Sequence, residues 1–300
     1  MSKPIRLIAV LLICAVLLPA AGSPFLSASA APLATAPDLG AAASYSVLAG
    51  SGVTNTGPTH VSGNVGVATG TSITGFNPPG TVGPPGTIHS NDSSANNAQA
   101  AKNLAYVALA AQGCNTDYIG VFKELAGETL VPGVYCASSF HLTSGTLTLN
   151  GNASDVWIFK SASDLIITGG SFAKVVFTGG GVPCNVWWRV VSTATFDANS
   201  SLVGNILADT SITLASGASL DGRALARTAE VTLSSNNISG PTCGSTAVGL
   251  LDFQATSAAG SPIGLGAGAG LLLAVGLIVI RRRASATPKA APSAPLGDGK

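Results

Sequence analysis

Groups that could do acid–base or covalent chemistry are few in this chain and do not gather. In the central region Asp155, Asp164, Asp197, Asp209 and Glu230 stand apart, not in the flanking pairs that polysaccharide cleavage uses, and Asp209 has a candidate partner in Arg227. His60, His89 and His141 fall in three unrelated segments and read as surface or corner residues rather than ligands. There is no G-x-S-x-G, and GSGVTNTG, from Gly50, lacks the Gly-Lys pair of a phosphate loop. The expectation is no catalysis, no cofactor and no bound metal. Hydroxyls are abundant instead, and Thr193, Thr195, Ser211, Thr213 and Thr232 recur at matching places in short segments. The chemistry they offer is an ordered hold on water, because a threonine methyl fixes the rotamer while the hydroxyl bonds to solvent.

Composition agrees with that reading. Charged residues make up 9% of the 300, with 14 Lys+Arg against 13 Asp+Glu, so solubility rests on hydroxyls and amides. This balance provides neither the basic surface that binds phosphate nor an acidic field, which excludes nucleic acid as a partner. Hydrophobic residues, many of them Ala and Val, reach 46%, enough to bury a core despite 37 glycines.

Both ends read as something other than folded domain. Lys3 and Arg6, the apolar run Leu7 to Leu18 and Ala28-Ser29-Ala30 have the layout of a secretory signal, residues 1–30. An uncleaved anchor is the alternative, with a run short of the roughly 20 residues that a span needs. Cys14 leaves with the signal. Export leaves Cys114, Cys136, Cys184 and Cys243 in an oxidising compartment, which predicts two disulfides with three connectivities. Cys114 to Cys136 and Cys184 to Cys243 are favoured, the first closing a local loop and the second tying the end of the domain to its middle. A zinc site is the alternative, without any C-x-x-C to support it. Further on, Ile263 to Ile280 is apolar and Arg281-Arg282-Arg283 follows at once. That pattern predicts a transmembrane helix over 263–280, after a linker at 244–262 and before a disordered cytoplasmic tail at 281–300.

The elements between must position the hydroxyls. DSSANNAQAAKNLAYVALAAQ predicts one helix over about 93–112, with Asp92 as N-cap, Gly113 as its stop, and Ala98, Ala101, Leu104, Ala105 and Ala108 as a stripe that lies along a flat surface. After Gly133 come short alternating runs broken by Gly, Ser and Asn. GNILADTSITLASGASL from Gly204 and GRALARTAEVTLSSNNIS from Gly222 repeat at an offset of 18. Leu207 falls on Leu225, Ala208 on Ala226 and, after a one-residue insertion, Thr213 on Thr232; backwards, Phe196 matches Leu214 and Trp188 matches Ile206. Such a period suits one turn of a three-sided β-helix.

In this register Ile212 and Leu214 point inward, while Thr193, Thr195, Ser211, Thr213 and Thr232 point outward. Thr195, Thr213 and Thr232 then form a column with coils about 4.8 Å apart. Glu230 departs from the pattern by entering the column of Thr193 and Ser211. On another face Asp209 under Arg227 and Asn205 under Arg223 read as a solvated ladder. Because Trp188 matches inward Ile206, Trp187 faces outward, either as an exposed sugar-binding platform or packed under the helix or a loop.

Taken in order, LGAAASYSVLAGSGVTNTGPTHVSGNVGVATGTSITGF, the helix with AYVALA, LVPGVYCASSFHLTSGTLTLNG, NVWWRVVSTATF, GNILADTSITL, and GRALARTAEVTL before NNISGPTC resemble the secreted microbial ice-binding proteins, from about Asp38 to Cys243. The resemblance implies a mostly β fold, a discontinuous right-handed β-helix (three-sided β-solenoid, 38–243) with one long α-helix packed alongside. It also implies that the segment before the helix forms coils at one end and that the C-terminal strands return beside it. Val47, Val53, Val61 and Val65 are the expected inward residues of that first segment, with its glycines and asparagines at corners. With the C-terminal span added, the expected function is an ice-binding protein anchored at the cell surface that adsorbs to ice through a flat, uncharged Thr/Ser-rich face. Its partners would be the ice surface and, through the C-terminal helix, the membrane. The alternative is a cell-surface adhesin or envelope structural solenoid with a glycan or protein partner.

Overall fold

Runs this short, each closed by a glycine, serine or asparagine, make strands that must turn within a few residues. A computed structural model describes residues 33–240, except residue 119. Before the helix lie β1 (Tyr45–Ala49), β2 (Gly52–Thr56), β3 (His60–Ser62), β4 (Asn64–Val67), β5 (Ser72–Thr74), β6 (Thr81–Gly83) and β7 (Ile88–Ser90), followed by α1 (Ser93–Ala111). After it come β8 (Thr116–Asp117), β9 (Phe122–Glu124), β10 (Thr129–Leu130), β11 (Gly133–Ala137), β12 (Ser139–Leu142), β13 (Thr146–Asn150), β14 (Trp157–Ser161) and β15 (Leu165–Ile167). The chain continues through β16 (Lys174–Thr178), β17 (Val186–Val190), β18 (Ala194–Phe196), β19 (Ser201–Ala208), β20 (Ile212–Leu214), β21 (Ser219–Ala226), β22 (Val231–Ser234) and β23 (Asn237–Ile238).

These strands pair in parallel, coil on coil, and build three faces. The first runs β5-β2-β22-β20-β18-β15-β12-β9; the second, β7-β4-β1-β21-β19-β17-β14-β11-β8; the third, β6-β3-β23-β21-β19-β16-β13-β10. Strands β19 and β21 belong to two faces because each bends at a glycine: Gly204 has φ 106° and Gly222 φ 156°. A side chain on Gly222 would also collide with the carbonyl of Gly204 one coil below, so only glycine fits this corner.

The offset of 18 is the true coil register: Asn205 to Ala208 pair with Arg223 to Ala226, and Thr195 with Thr213, which pairs with Thr232. Earlier coils hide the period because their corners carry insertions, such as the 3-10 turns Gly170–Phe172 and Pro183–Asn185. The solenoid is discontinuous, as the resemblance implies. Strand β1 pairs β21 on one side and β4 on the other, so it completes the coil begun by β22 and β23. The coils β2–β4 and β5–β7 extend one end, α1 crosses to the other, and the remaining chain coils back.

Inward residues stack in columns. Tyr135, Phe159, Trp188, Ile206, Ala224, Val47 and Val65 follow one another in register. The Phe159 and Trp188 rings lie 4.1 Å apart and nearly parallel at 13°, and Phe140 meets Phe159 edge-on. The column is therefore aromatic at one end and small at the other. Val47, Val53, Val61 and Val65 are all buried, as expected. Each end of the stack is protected against further pairing. At one, Pro78, Pro79, Pro84 and Pro85 occupy the corners of the β5–β7 coil. At the other, Lys123 stands in the inward register of Phe140, with its ammonium on Glu128 and over the Tyr118 ring.

The helix starts where expected: Asp92 accepts from Ala95 N at 2.8 Å. Its buried stripe is rotated from the predicted one. Ala95, Ala98, Gln99, Lys102, Ala105, Tyr106 and Leu109 are turned toward the second face, while Leu104 is 74% exposed and Ala108 is exposed. Two polar residues can point inward because the sheet offers them carbonyls. Gln99 donates to Ala226 O and Arg227 O, Lys102 Nζ to Ala208 O at 3.1 Å, and Tyr106 to Val190 O at 3.4 Å. Ala226, Ala208 and Val190 are the same position in three successive coils. The helix does not stop on Gly113; Gln112 turns extended, and its side chain bonds both backbone groups of Thr35. Lys160 from β14 donates to Ala110 O and Gln112 O, satisfying terminal carbonyls at the negative end of the helix.

The predicted Cys114–Cys136 disulfide is present and ties the helix exit to β11. Cys243, the predicted partner of Cys184, lies outside the described residues, as do the signal 1–30, the linker 244–262, the span 263–280 and the tail 281–300. Among the described residues no helix is long and apolar enough to cross a membrane. The ladder expected to be solvated is only half so. Arg227 and Asp209 form a surface ion pair, but Arg223 and Asn205 are buried under the N-terminal segment. There Arg223 donates to Asn205 Oδ1 at 2.8 Å and to Ala43 O at 2.9 Å.

Burial pushes the Lys102 ammonium down from 10.5 to about 7, against the pull of Asp209. Between those values the unfolded chain holds a proton that the folded one releases, so stability rises with pH through that window and is lowest below it. At about 1.4 kcal/mol per unit, Lys102→Met is expected to stabilise the fold by several kcal/mol at pH 6 and to flatten the rise between pH 7 and 10. Ala208 O is not orphaned by the change, because it keeps its bond from Arg227 N. Denaturant unfolding of both proteins at pH 6 and pH 9 checks this.

Candidate functional site

Two faces are disqualified as an open uncharged surface. The second is covered by α1 and the N-terminal segment, whose side chains bury Leu48, Leu207, Leu225, Ile158, Val134 and Trp187. The third places Lys174 in register with Ser201, and Asp221 with Val203, so charges interrupt it. The first face remains, and its strands alternate cleanly: Val53, Val231, Ile212, Leu214, Ala194 and Phe196 point into the core.

The outward residues of that face align into a column longer than the sequence suggested. Thr74, Thr54, Thr232, Thr213 and Thr195 stand at one register position on β5, β2, β22, β20 and β18. Neighbours in the column are about 4.8 Å apart, and outward residues along one strand roughly 6.7 Å apart, so backbone geometry sets a two-dimensional grid. Thr193 and Ser211 form the adjoining column, since Ala194 N bonds Ser211 O, and Thr56 opposite Ser234 continues the grid on the far side. All five predicted site residues, Thr193, Thr195, Ser211, Thr213 and Thr232, are thus brought onto one face. Thr54, Thr56 and Thr74 were missed. The signal was present in Val53-Thr54 and Ile73-Thr74, which repeat the apolar–Thr pairs Ile212-Thr213 and Val231-Thr232, but the pairing of β2 with β22 joins segments far apart in the chain.

Within the described structure the side chains of Thr54, Thr74, Thr195 and Thr213 make no hydrogen bond, leaving donors and acceptors to solvent. Thr232 donates to Glu230 Oε1 at 3.2 Å. Glu230 does enter the Thr193 and Ser211 column, as its carbonyl accepts from Ile212 N; it and Asp197, exposed directly after β18 in the column of Ser234 and Thr56, are the two charged residues among the outward positions of β5, β2, β22, β20 and β18 and their flanks. Beyond β18 the surface changes. The threonine column passes to Ile166, His141 and Glu124, and Phe122 stacks on His141 at 4.9 Å. Burial raises and hydrogen bonds from Thr143, Ala126 and Leu125 lower the Glu124 pKa, with lowering the net result.

The remaining candidates are placed apart from this grid. His60 is on β3 beside Thr81, His89 bonds Asp92 at the helix start, and His141 lies on β12; all three are on strands of different faces. Among the described residues no His, Cys, Asp and Glu cluster could hold a metal. Asp155 accepts from Asn152 N in a corner turn, while Asp197 is the exception, at the edge of the grid directly after β18, where it accepts from Ala198 N and Gly169 N. Trp187 is 4% exposed beneath the helix, so the sugar-platform reading of that residue is overturned.

Comparison with known proteins follows the same geometry. Residues 47–239 match the sequence profile of the family described as Ice-binding-like. A protein of Nostoc sp. (strain HG1), described as an ice-binding protein, is 43% identical over 204 residues, which is 67% of this chain and 73% of that protein. The solved structure of an ice-binding protein from an Antarctic biological consortium superposes with a TM-score of 0.65 at 38% identity, covering 70% of this chain and 93% of that one. That of an ice-binding protein from the Antarctic ascomycete Antarctomyces psychrotrophicus gives 0.62 at 39%, covering 68% and 98%.

Proposed function

The chain belongs to the ice-binding-like family, and on that premise we propose that it adsorbs to ice through the threonine grid of its first face. The observation that carries the reading is the five-threonine column Thr74, Thr54, Thr232, Thr213 and Thr195 on the face that neither the helix nor a run of charges occupies. A charged side chain holds its own hydration shell, whereas a threonine hydroxyl bonds water at nearly the strength of a direct contact and its methyl keeps that hydroxyl in place. A repeated, rigid array of such groups aligns a layer of water with a lattice; a single one does not.

Export and anchoring belong to the same proposal. The signal-like segment 1–30 and the apolar run 263–280 before Arg281-Arg282-Arg283 support a domain tethered outside the cytoplasmic membrane. A tethered domain acts on ice at the cell surface, not throughout the medium.

Three measurements test these statements. With the fragment 31–245, disulfides formed, Thr213→Tyr and Thr54→Tyr are each expected to abolish most thermal hysteresis, while Ser201→Tyr on the third face keeps it; full activity in Thr213→Tyr would move the site elsewhere. Glu230→Ser, which removes the charge from the grid, is expected to raise activity. In fractionated cells the full chain should sediment with membranes and a version ending at residue 262 should not.

A further inference from the structure

Of the carboxylates that border the grid or its continuation, three accept the hydroxyl of a neighbouring threonine: Glu124 from Thr143 at 2.6 Å, Asp164 from Thr193 at 2.9 Å and Glu230 from Thr232 at 3.2 Å. Asp164 is the most fully engaged. It precedes β15, directly under Thr193 in the next coil, where Leu165 N bonds Thr193 O. Its Oδ1 takes both the backbone N–H of Thr193, at 3.1 Å, and the hydroxyl, while Oδ2 takes the Ser163 hydroxyl at 2.8 Å. A carboxylate has about four acceptor sites, and most of Asp164's are used by the protein, through Thr193, Ser163 and Ser192.

This arrangement acts on Thr193 in two ways. The hydroxyl has a single proton, and that proton points at Asp164, so Thr193 offers solvent only acceptor lone pairs. The paired N–H and O–H bonds to one oxygen also hold the side chain in one rotamer. At the same time Asp164, which is only partly exposed, spends acceptor sites on protein donors, so fewer of them are left to order water. Glu230, exposed and holding one hydroxyl, lacks this shielding. Burial raises and the bonds from Ser163, Thr193 and Ser192 lower the Asp164 pKa, and the bonds prevail.

We propose that Asp164 is a positioning residue for ice adsorption, fixing the rotamer and hydroxyl direction of Thr193 at the border of the grid and keeping a charge at that border from ordering water of its own. The proposal rests on the reading of the first face as the ice-binding surface. It explains how an aspartate is accommodated at the border of a face that otherwise carries few charges.

The test uses Asp164→Ala, Asp164→Asn, Thr193→Val and the double variant Asp164→Ala/Thr193→Val in the fragment 31–245, with thermal hysteresis, recrystallisation inhibition and melting temperature measured for each. Loss of the bond that orients one hydroxyl should cost roughly two- to tenfold in the concentration needed to inhibit recrystallisation. Asp164→Ala is expected to show that cost and Asp164→Asn to restore activity, because an asparagine Oδ1 accepts the same two bonds. The double variant should be no worse than Thr193→Val alone, since Asp164 acts through that hydroxyl. Wild-type ice activity in Asp164→Ala, an inactive but equally stable Asp164→Asn, or additive losses in the double variant would each overturn the proposal. If Asp164→Ala fails to fold, Asp164→Asn and Thr193→Val still decide it: activity kept in Asp164→Asn and reduced in Thr193→Val supports the proposal, and loss in an equally stable Asp164→Asn or full activity in Thr193→Val overturns it. Thr213→Tyr separates the two levels, because full activity there removes the face itself, whereas its inactivity beside a fully active Asp164→Ala removes only this inference.

Discussion

Coils that hydrogen-bond in parallel must repeat about every 4.8 Å, and the rest of this protein is arranged around that spacing. A helix rises 1.5 Å per residue, so three to four residues advance one coil. Gln99, Lys102 and Tyr106 are placed at that interval, and they donate to Ala226, Ala208 and Val190, the same corner in three successive coils. The nineteen residues of α1 measure about 28 Å, close to six coils, so the helix runs beside the stack as a ruler for its register. Its far end is tied down by Lys160 and by the Cys114–Cys136 disulfide.

The same repeat makes each face a set of columns, and the three sets have different fates. Beneath the helix and the N-terminal segment the columns hold the groups that would be costly in an open array: Arg223 on Asn205 and Ala43 O, Arg189 against the Tyr106 ring at 4.5 Å, and the indole of Trp187. The third face carries Lys174 and Asp221 in water. What is left for the first face is mainly threonine and serine over five strands, with Glu230 and Asp197 at its edges. Its low charge therefore reflects where the charges of each coil were sent as much as how few there are.

Within that face the carboxylates divide by how they are bonded. Asp164 and Glu124 accept backbone N–H groups as well as hydroxyls, which holds both below the ordinary carboxylate range despite burial. They lie at and beyond the border where the threonine column gives way to Ile166, His141 and Glu124. The border coincides with the coils whose corners are lengthened and whose core is aromatic, Phe159 on Trp188. The end filled by the small residues Val47, Val65 and Ala224 carries the regular grid.

Much of this was written locally. Alternation fixed which residues of SITL and EVTL face out, the 18-residue offset gave the register of Thr195, Thr213 and Thr232, Asp92 marked the helix start, and the apolar–Thr pairs are visible throughout, because each depends on neighbours within one coil. The tertiary structure decided what depends on contacts between distant segments. Only the pairing of β2 with β22 brings Thr54 and Thr74 into the column, since a chain that enters its own stack in the middle leaves no sequence period across the join. Only the corner carbonyls make Gln99 and Lys102 inward residues of a helix whose apolar pattern points elsewhere. Whether an outward side chain such as Trp187, Arg223 or Thr213 meets a helix, a backbone or water is set by what is laid over its face, and a strand's own sequence holds no record of that.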